Sequence, residues 1–286
     1  GSGNDNLSAG DGADSIMGGL GNDTITGGIG NNVITGGSGD DSVTGGTGDE
    51  NIDGGDGNDI IDASTGANTV AGGAGNDTIT TSTGADSVTG GDGNDTITTN
   101  TGNDTVNAGA GDDTIDVGGG NDNVIAGVGS DTITGGSGDD TIDGGEGNDF
   151  ITITSLSNGD SIDGGAGNDT LIGGDGIDNL WGGLNSDTFT FNSAAEIGNN
   201  PLNRETIHDF DSATDILNFA FDANSTLAGN QSFNFIDQAD FSAAGQLRFD
   251  NGVLYGNTDA NLATAEFELA LSNVSNTNAN NLNILP

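Results

Sequence analysis

Cysteine and lysine are both absent from the 286-residue chain; Arg204 and Arg248 are its only strong cations, and His208 is its single histidine. With no thiol there is no disulfide and no thiolate chemistry. With no lysine there is no P-loop to cradle a nucleotide phosphate. The sequence holds no H-E-x-x-H and no G-x-S-x-G, and one histidine without a cysteine leaves no nucleophile–base pair. Catalysis is therefore not expected. Missing too are a basic n-region followed by an apolar h-region, and any apolar run long enough to span a bilayer.

What is present is negative charge. Against two cations stand 45 aspartates and glutamates, a formal net charge of −43. Such a field excludes nucleic acid and anionic membrane as partners. It also opposes compaction, so a cation from outside the chain has to neutralise it before the chain condenses. Composition alone describes a disordered acidic tail. The periodicity argues otherwise.

A nine-residue phrase, G-G-x-G-N/D-D-x-U-x with U aliphatic, holds its register from Ala9 to Thr152. An eleven-residue unit, Ile153 to Asp163, interrupts it, and three further nonamers run from Gly164 to Thr190. Gly1 already stands at the second position of a unit, so the chain is expected to be a piece of something longer. The U positions (Leu7, Ile16, Ile25, Ile34, Val43, Ile52 and onward to Phe189) are flanked by small polar residues, as in Thr24-Ile25-Thr26. That predicts a three-residue strand with its central side chain inward, joined to the next by a tight GGxG turn. Strand and turn in alternation make a flattened coil, two nonamers to a circuit, around a thin aliphatic stack. A helix is excluded, because no apolar residue recurs at 3.6 spacing and the glycines would break it. Each unit buries one aliphatic side chain against the ordering entropy of nine residues, many of them glycine. Burial alone does not hold such a coil together.

Successive coils of a parallel stack lie about 4.8 Å apart. Position-six carboxylates from neighbouring coils, such as Asp77 and Asp95, therefore repel unless a cation lies between them. Calcium, with oxygen ligands at about 2.3–2.6 Å, suits that gap; magnesium wants shorter bonds and a strict octahedron, and zinc wants His or Cys. Two nonamers per coil place alternate units on opposite edges. One edge reads Asp5, Asp23, Asp41, Asp59, Asp77, Asp95, Asp113, Asp131, Asp149, Asp169 and Asp187, without exception. The other reads Asp14, Asn32, Glu50, Asn68, Asp86, Asp104, Asp122, Asp140, Asp160 and Asp178. Glycines give way on this second edge as well, at Ala63-Ser64-Thr65, Thr81-Ser82-Thr83 and Thr99-Asn100-Thr101. The pattern predicts one continuous ion column, and a second that is thinned or empty between about Asp14 and Asp86.

This nonapeptide resembles that of the RTX (repeats-in-toxin) family, over about Gly1 to Thr190. The resemblance implies an all-β fold: a parallel β-roll, that is a right-handed β-solenoid with two nonamers per coil, followed by a small β-rich cap. It also implies several calcium ions held between the turns of adjacent coils. Position six then supplies the carboxylates, from the aspartates of both edges named above. The turns supply carbonyls, from Gly18, Gly19 and Gly21, then Gly36, Gly37 and Gly39, Gly54, Gly55 and Gly57, Gly72, Gly73 and Gly75, and Gly90, Gly91 and Gly93.

Composition changes beyond Thr190. Glycine thins out, phenylalanine concentrates from Phe189 onward (Phe150 apart), and both arginines, both prolines and the one tyrosine appear. Alternating runs such as Glu266-Phe267-Glu268-Leu269 read as strands, and Asp250-Asn251-Gly252 reads as a hairpin turn. A β-rich cap over 191–286 would cover the open end of a roll over 1–190. The stretch ETIHDFDSATDILNF, Glu205 to Phe219, is similar to the segment after the repeats in serralysin-type proteases and other type I-secreted proteins. That resemblance implies an uncleaved secretion signal at about 267–286 and the type I secretion machinery as a partner. The combined reading is a calcium-dependent folding and export module of a larger extracellular bacterial protein. Its alternative is a surface-layer or adhesin module, in which calcium mediates self-assembly or cell-surface attachment through a missing N-terminal part. An ice-binding face of paired threonines (Thr78/Thr80, Thr96/Thr98) and an exoenzyme accessory module rank below both.

Overall fold

A computed structural model describes residues 1–154, 156–199, 202–221, 234–235, 242–259, 265–274, 282 and 284–285. The expected signal region 267–286 therefore falls among the described residues only at 267–274, 282 and 284–285. The chain divides into two compact units, Gly1–Gly147 and Asn148–Pro286.

The first unit is a largely parallel β-solenoid, a β-roll. Strands of odd-numbered nonamers form one sheet, from Asn6–Asp11 through Thr24–Ile29, Ser42–Thr47 and Ile60–Thr65 to Thr132–Gly136. Strands of the alternate nonamers form the other, from Ser15–Leu20 through Val33–Ser38 and Asn51–Asp56 to Thr141–Glu146. Every pair is parallel and shifted by one coil, so like stacks on like: Ile25 on Val43, Ile34 on Ile52, Val88 on Val106. The inward aliphatics form the core, with Ile25, Ile34, Ile79, Ile97 and Ile133 fully buried.

The strands are longer than the three residues expected. Thr24–Ile29 runs six residues, through both glycines and the variable third position, leaving only Gly21, Asn22 and Asp23 before it to turn. The reason is glycine's access to φ near +120°: Gly19 at +119° and Gly37 at +125° stay paired in the ladder while the chain bends. Where Thr81-Ser82 and Thr99-Asn100 replace those glycines the strands shorten, to Thr78–Thr81 and Thr96–Thr98, whereas Ile60–Thr65, with Ala63 and Ser64, keeps six residues. There Asn100 takes the left-handed position at φ 68°, a role asparagine tolerates.

In the second unit, parallel strands Phe150–Ile153, Thr170–Ile172, Thr188–Phe191, Ile216–Phe219 and Ile284–Leu285 form one sheet. Phe150 pairs with Thr170, a longer step that absorbs the eleven-residue unit. The second sheet runs Ser161–Asp163, Asn179–Trp181, Thr206–Ile207 and Phe267–Leu271, then turns antiparallel through Val253–Asn257 and Gln246–Asp250. The expected hairpin is there, with Asn251 and Gly252 at φ 50° and 82° in its turn. Aromatic packing replaces the thin aliphatic stack: Phe219 lies 5.8 Å from Phe191 and 5.4 Å from Phe267, ring centre to ring centre. Among the described residues, a short helix spans Ala194–Ile197.

Truncating Ile97, fully buried, to alanine is expected to destabilise the folded roll by about 2–5 kcal/mol. Ile29→Ala, at a side chain 58% exposed, is expected to change stability by less than about 0.5 kcal/mol. Denaturant unfolding of both variants checks the inward assignment of the U positions.

Candidate metal columns

Position six closes each turn immediately before a strand, where its N–H has left one ladder and not yet joined the next. In the first unit that N–H goes to the side chain one coil further on. Asp5 N–H donates to Asp23 Oδ1 at 2.7 Å, Asp41 to Asp59 at 2.8 Å, Asp59 to Asp77 at 2.8 Å and Asp95 to Asp113 at 2.7 Å. The other edge continues the device through its substitutions: Asp14 donates to Asn32 Oδ1 at 3.0 Å, Asn32 to Glu50 Oε2 at 2.9 Å and Glu50 to Asn68 Oδ1 at 3.0 Å. From there Asn68 donates to Asp86, Asp86 to Asp104, Asp104 to Asp122 and Asp122 to Asp140. Asp131 accepts from Asp113 on the first edge. In the second unit Asp149 donates to Asp169, Asp169 to Asp187 and Asp160 to Asp178.

The expected picture, two carboxylates facing each other across an ion, is thereby altered. From the second coil on, one oxygen of each of these carboxylates is committed to a backbone amide, and only the second is left for a cation. These acids are almost wholly enclosed, Asp23 at 2% exposure and Asp59, Asp77, Asp95 and Asp113 at 1% each, while Asp5 and Asp14 in the first coil are half-buried. The second oxygen has no hydrogen-bond partner at Asp23, Asp41, Asp59, Asp77, Asp95, Asp113, Asp169 and Asp187. A buried anion with an unused lone-pair site is costly unless something positive meets it.

Among the described residues the one such charge at a position-six acid is the N-terminal ammonium, 3.5 Å from Asp5 Oδ2 in the first coil. Arg204 pairs with Glu268 at 3.6 Å, and Arg248 lies over the Tyr255 ring at 4.9 Å. His208 stacks on Trp181 and meets Asn179 Oδ1 at 2.9 Å.

Around each orphaned oxygen the backbone leaves space and further oxygen. A Cβ on Gly54 would collide with Asp59 Oδ2 and lie 2.6 Å from the Gly72 carbonyl oxygen; Gly18, Gly36, Gly72 and Gly90 border their own aspartates in the same way. No backbone N–H donates to the position-four carbonyls of Gly21, Gly39, Gly57, Gly75 or Gly93. The position-two glycines Gly19, Gly37, Gly55, Gly73 and Gly91 sit instead in paired strands. Among the described residues no three His, Cys, Asp or Glu side chains converge. The donor set is thus carboxylate plus carbonyl oxygen, a hard set that fits calcium and not zinc.

Burial dominates the electrostatics. It pushes the carboxyls of Asp59 and Asp77 up to about 6 and that of Asp113 up to about 7, with the carboxylates of adjacent coils adding to the rise and the accepted N–H bonds opposing it. Asp187 is pushed up to about 7 and Asp122 to about 6 for the same first cause. Each column thus resists carrying its full charge in the absence of a cation.

Two ligand-position residues escape the nonapeptide register. Glu205 Oε2 accepts the Asp178 N–H at 2.9 Å, and Asp215 Oδ1 accepts the Asp187 N–H at 3.1 Å, so each continues a ladder beyond the last repeat. Asp215 uses its other oxygen on the Asp211 N–H at 2.7 Å, ending its ladder satisfied. Glu205 keeps an unpartnered Oε1, and its carboxyl is pushed well above the ordinary range, first by burial and then by Asp178. The signal was present: Glu205-Thr206-Ile207 and Asp215-Ile216-Leu217 both set an acid two residues before a buried aliphatic, as Asp23-Thr24-Ile25 and Asp95-Thr96-Ile97 do.

The repeat matches the RTX calcium-binding nonapeptide repeat family in overlapping copies that cover residues 1–151 and 156–189. The chain belongs to that family. It is an RTX calcium-binding β-roll, and the RTX identity agrees with the oxygen donor set described above. No curated protein matches the chain.

Because Asp77 has two separate tasks, its substitutions are expected to differ. In saturating calcium, Asp77→Ala leaves the Asp59 N–H buried without an acceptor, at a cost of about 1–3 kcal/mol beyond that of Asp77→Asn, which keeps the bond. Thermal unfolding of the two variants checks this; equal losses would mean that the amide ladder contributes nothing.

Proposed function

We propose that this RTX roll is the calcium-triggered folding and export module of a larger extracellular bacterial protein. The observation that carries the reading is the pair of carboxylate columns, buried, each acid with one oxygen committed to an amide and, at most coils, the other unmatched by any donor. In a low-calcium cytosol these carboxylates oppose folding, and an unfolded chain suits passage through a narrow exporter. Outside the cell, calcium binds only the ordered state. One ion at a hundred times its dissociation constant stabilises by about 2.7 kcal/mol, and a column multiplies the effect.

In this reading residues 1–190 form the roll, 191–286 cap it, and a signal at about 267–286 addresses the chain to a type I exporter. The carboxylates at position six, with carbonyls of the position-one and position-four glycines, hold the ions. The export half rests on the resemblance of the Glu205–Phe219 stretch to segments that follow RTX repeats in exported proteins.

Truncation after Val274, co-expressed with a type I exporter, is expected to retain the chain inside the cell. The same truncated chain, once purified, is expected to fold on calcium addition like the full one. Undiminished export of the truncated chain would contradict the signal assignment.

A further inference from the structure

Asn32 and Asn68 interrupt the second column, and the structure shows what they do there. Each keeps the amide ladder, accepting the N–H of Asp14 at 3.0 Å and of Glu50 at 3.0 Å through Oδ1. In Asn32 the other terminal atom stands where an aspartate's second oxygen stands. A Cβ on Gly27 would lie 2.9 Å from Asn32 Nδ2, just as a Cβ on Gly18 would meet Asp23 Oδ2. That nitrogen is a donor. Asn32 Nδ2 donates to the position-four carbonyl of Gly30 at 2.9 Å, and Asn68 Nδ2 to that of Gly66 at 3.2 Å. Both side chains are 1% exposed, and neither carries an unpartnered atom.

In an aspartate coil the same geometry sets a carboxylate oxygen beside a carbonyl oxygen, two acceptors with no donor between them. A cation resolves that arrangement. Replacing one acceptor by an NH2 group resolves it from within, at the same size and in the same orientation. We infer that Asn32 and Asn68 are built-in substitutes for calcium, and that the coils carrying them bind no ion. This rests on the calcium reading of the aspartate coils.

Glu50, between them, differs from both. Its Oε1 has no partner and the Gly48 carbonyl receives no backbone N–H, so this coil keeps the ion-binding arrangement. Each asparagine thus separates Glu50 from the nearest aspartate of its edge, Asp14 on one side and Asp86 on the other. The stretch opposite remains an unbroken run of aspartates, Asp23 to Asp77. The consequence is an asymmetric roll, one edge dependent on calcium from Asp23 through Asp113 and the other locked at two coils by its own amides.

The test counts calcium bound per chain, by equilibrium dialysis with elemental analysis, in the full chain and in Asn32→Asp, Asn68→Asp, the double variant and Asp59→Asn. The two asparagine variants are expected to bind one more ion each than wild type and the double variant two more; Asp59→Asn is expected to bind one fewer. Calcium midpoints of folding supply a second readout, rising in the asparagine-to-aspartate variants and falling in Asp59→Asn. Unchanged counts in Asn32→Asp and Asn68→Asp, with Asp59→Asn still losing an ion, would overturn the inference and leave the calcium reading standing. A wild-type chain that binds no calcium would overturn that reading and the inference together.

Discussion

Everything in this roll depends on how a buried carboxylate is neutralised. The position-six acids are held at 0 to 2% exposure through most of the solenoid, stacked like on like, with Arg204 against Glu268 and Arg248 over the Tyr255 ring instead. Their accepted amide bonds offset part of the desolvation and leave one oxygen over. In the reading proposed above, such an arrangement is stable only when positive charge enters it, and folding is conditional on that charge.

The remaining features serve that constraint. A stack of single aliphatic side chains, Ile25, Val43, Ile61 and their successors, sets the register but contributes little per residue. Register brings each carboxylate under the amide of the previous coil. Glycine at position one leaves the space beside the second oxygen, and glycine at position two bends an otherwise continuous strand. Where the glycines are replaced, side chains take over part of the task. The Thr81 hydroxyl reaches the Thr99 carbonyl at 3.1 Å and the Thr99 hydroxyl the Val117 carbonyl at 3.0 Å, a second ladder of bonds alongside the first.

Much of this was legible in the sequence. The nine-residue period, read with one inward aliphatic per unit, predicts two parallel sheets with like stacked on like, and the alternation of units predicts which acids share an edge. Strand length was not legible, because glycine at φ near +120° bends a strand without ending it, whereas a pattern reading ends the strand at the first glycine. Nor was the division of tasks within each carboxylate. It depends on where the position-six N–H points, a matter of backbone direction that spacing does not encode. Glu205 and Asp215 carry the local acid-x-aliphatic signal but fall outside the period, because their steps from the preceding coil are 27 and 28 residues rather than 18, so the period fails while the stacking persists. Asn32 was visible as a lost charge. That its amide gains a partner at Gly30 needed the side-chain geometry.

The most direct measurement is circular dichroism of the full chain, stripped of divalent ions by chelator, as calcium is restored, with magnesium as the control. The account predicts a chain without β structure in chelator, a cooperative transition to β in calcium, and no such transition in the same concentration range of magnesium. A chain already rich in β structure in chelator would contradict it, since the buried carboxylates would then be tolerated without a cation.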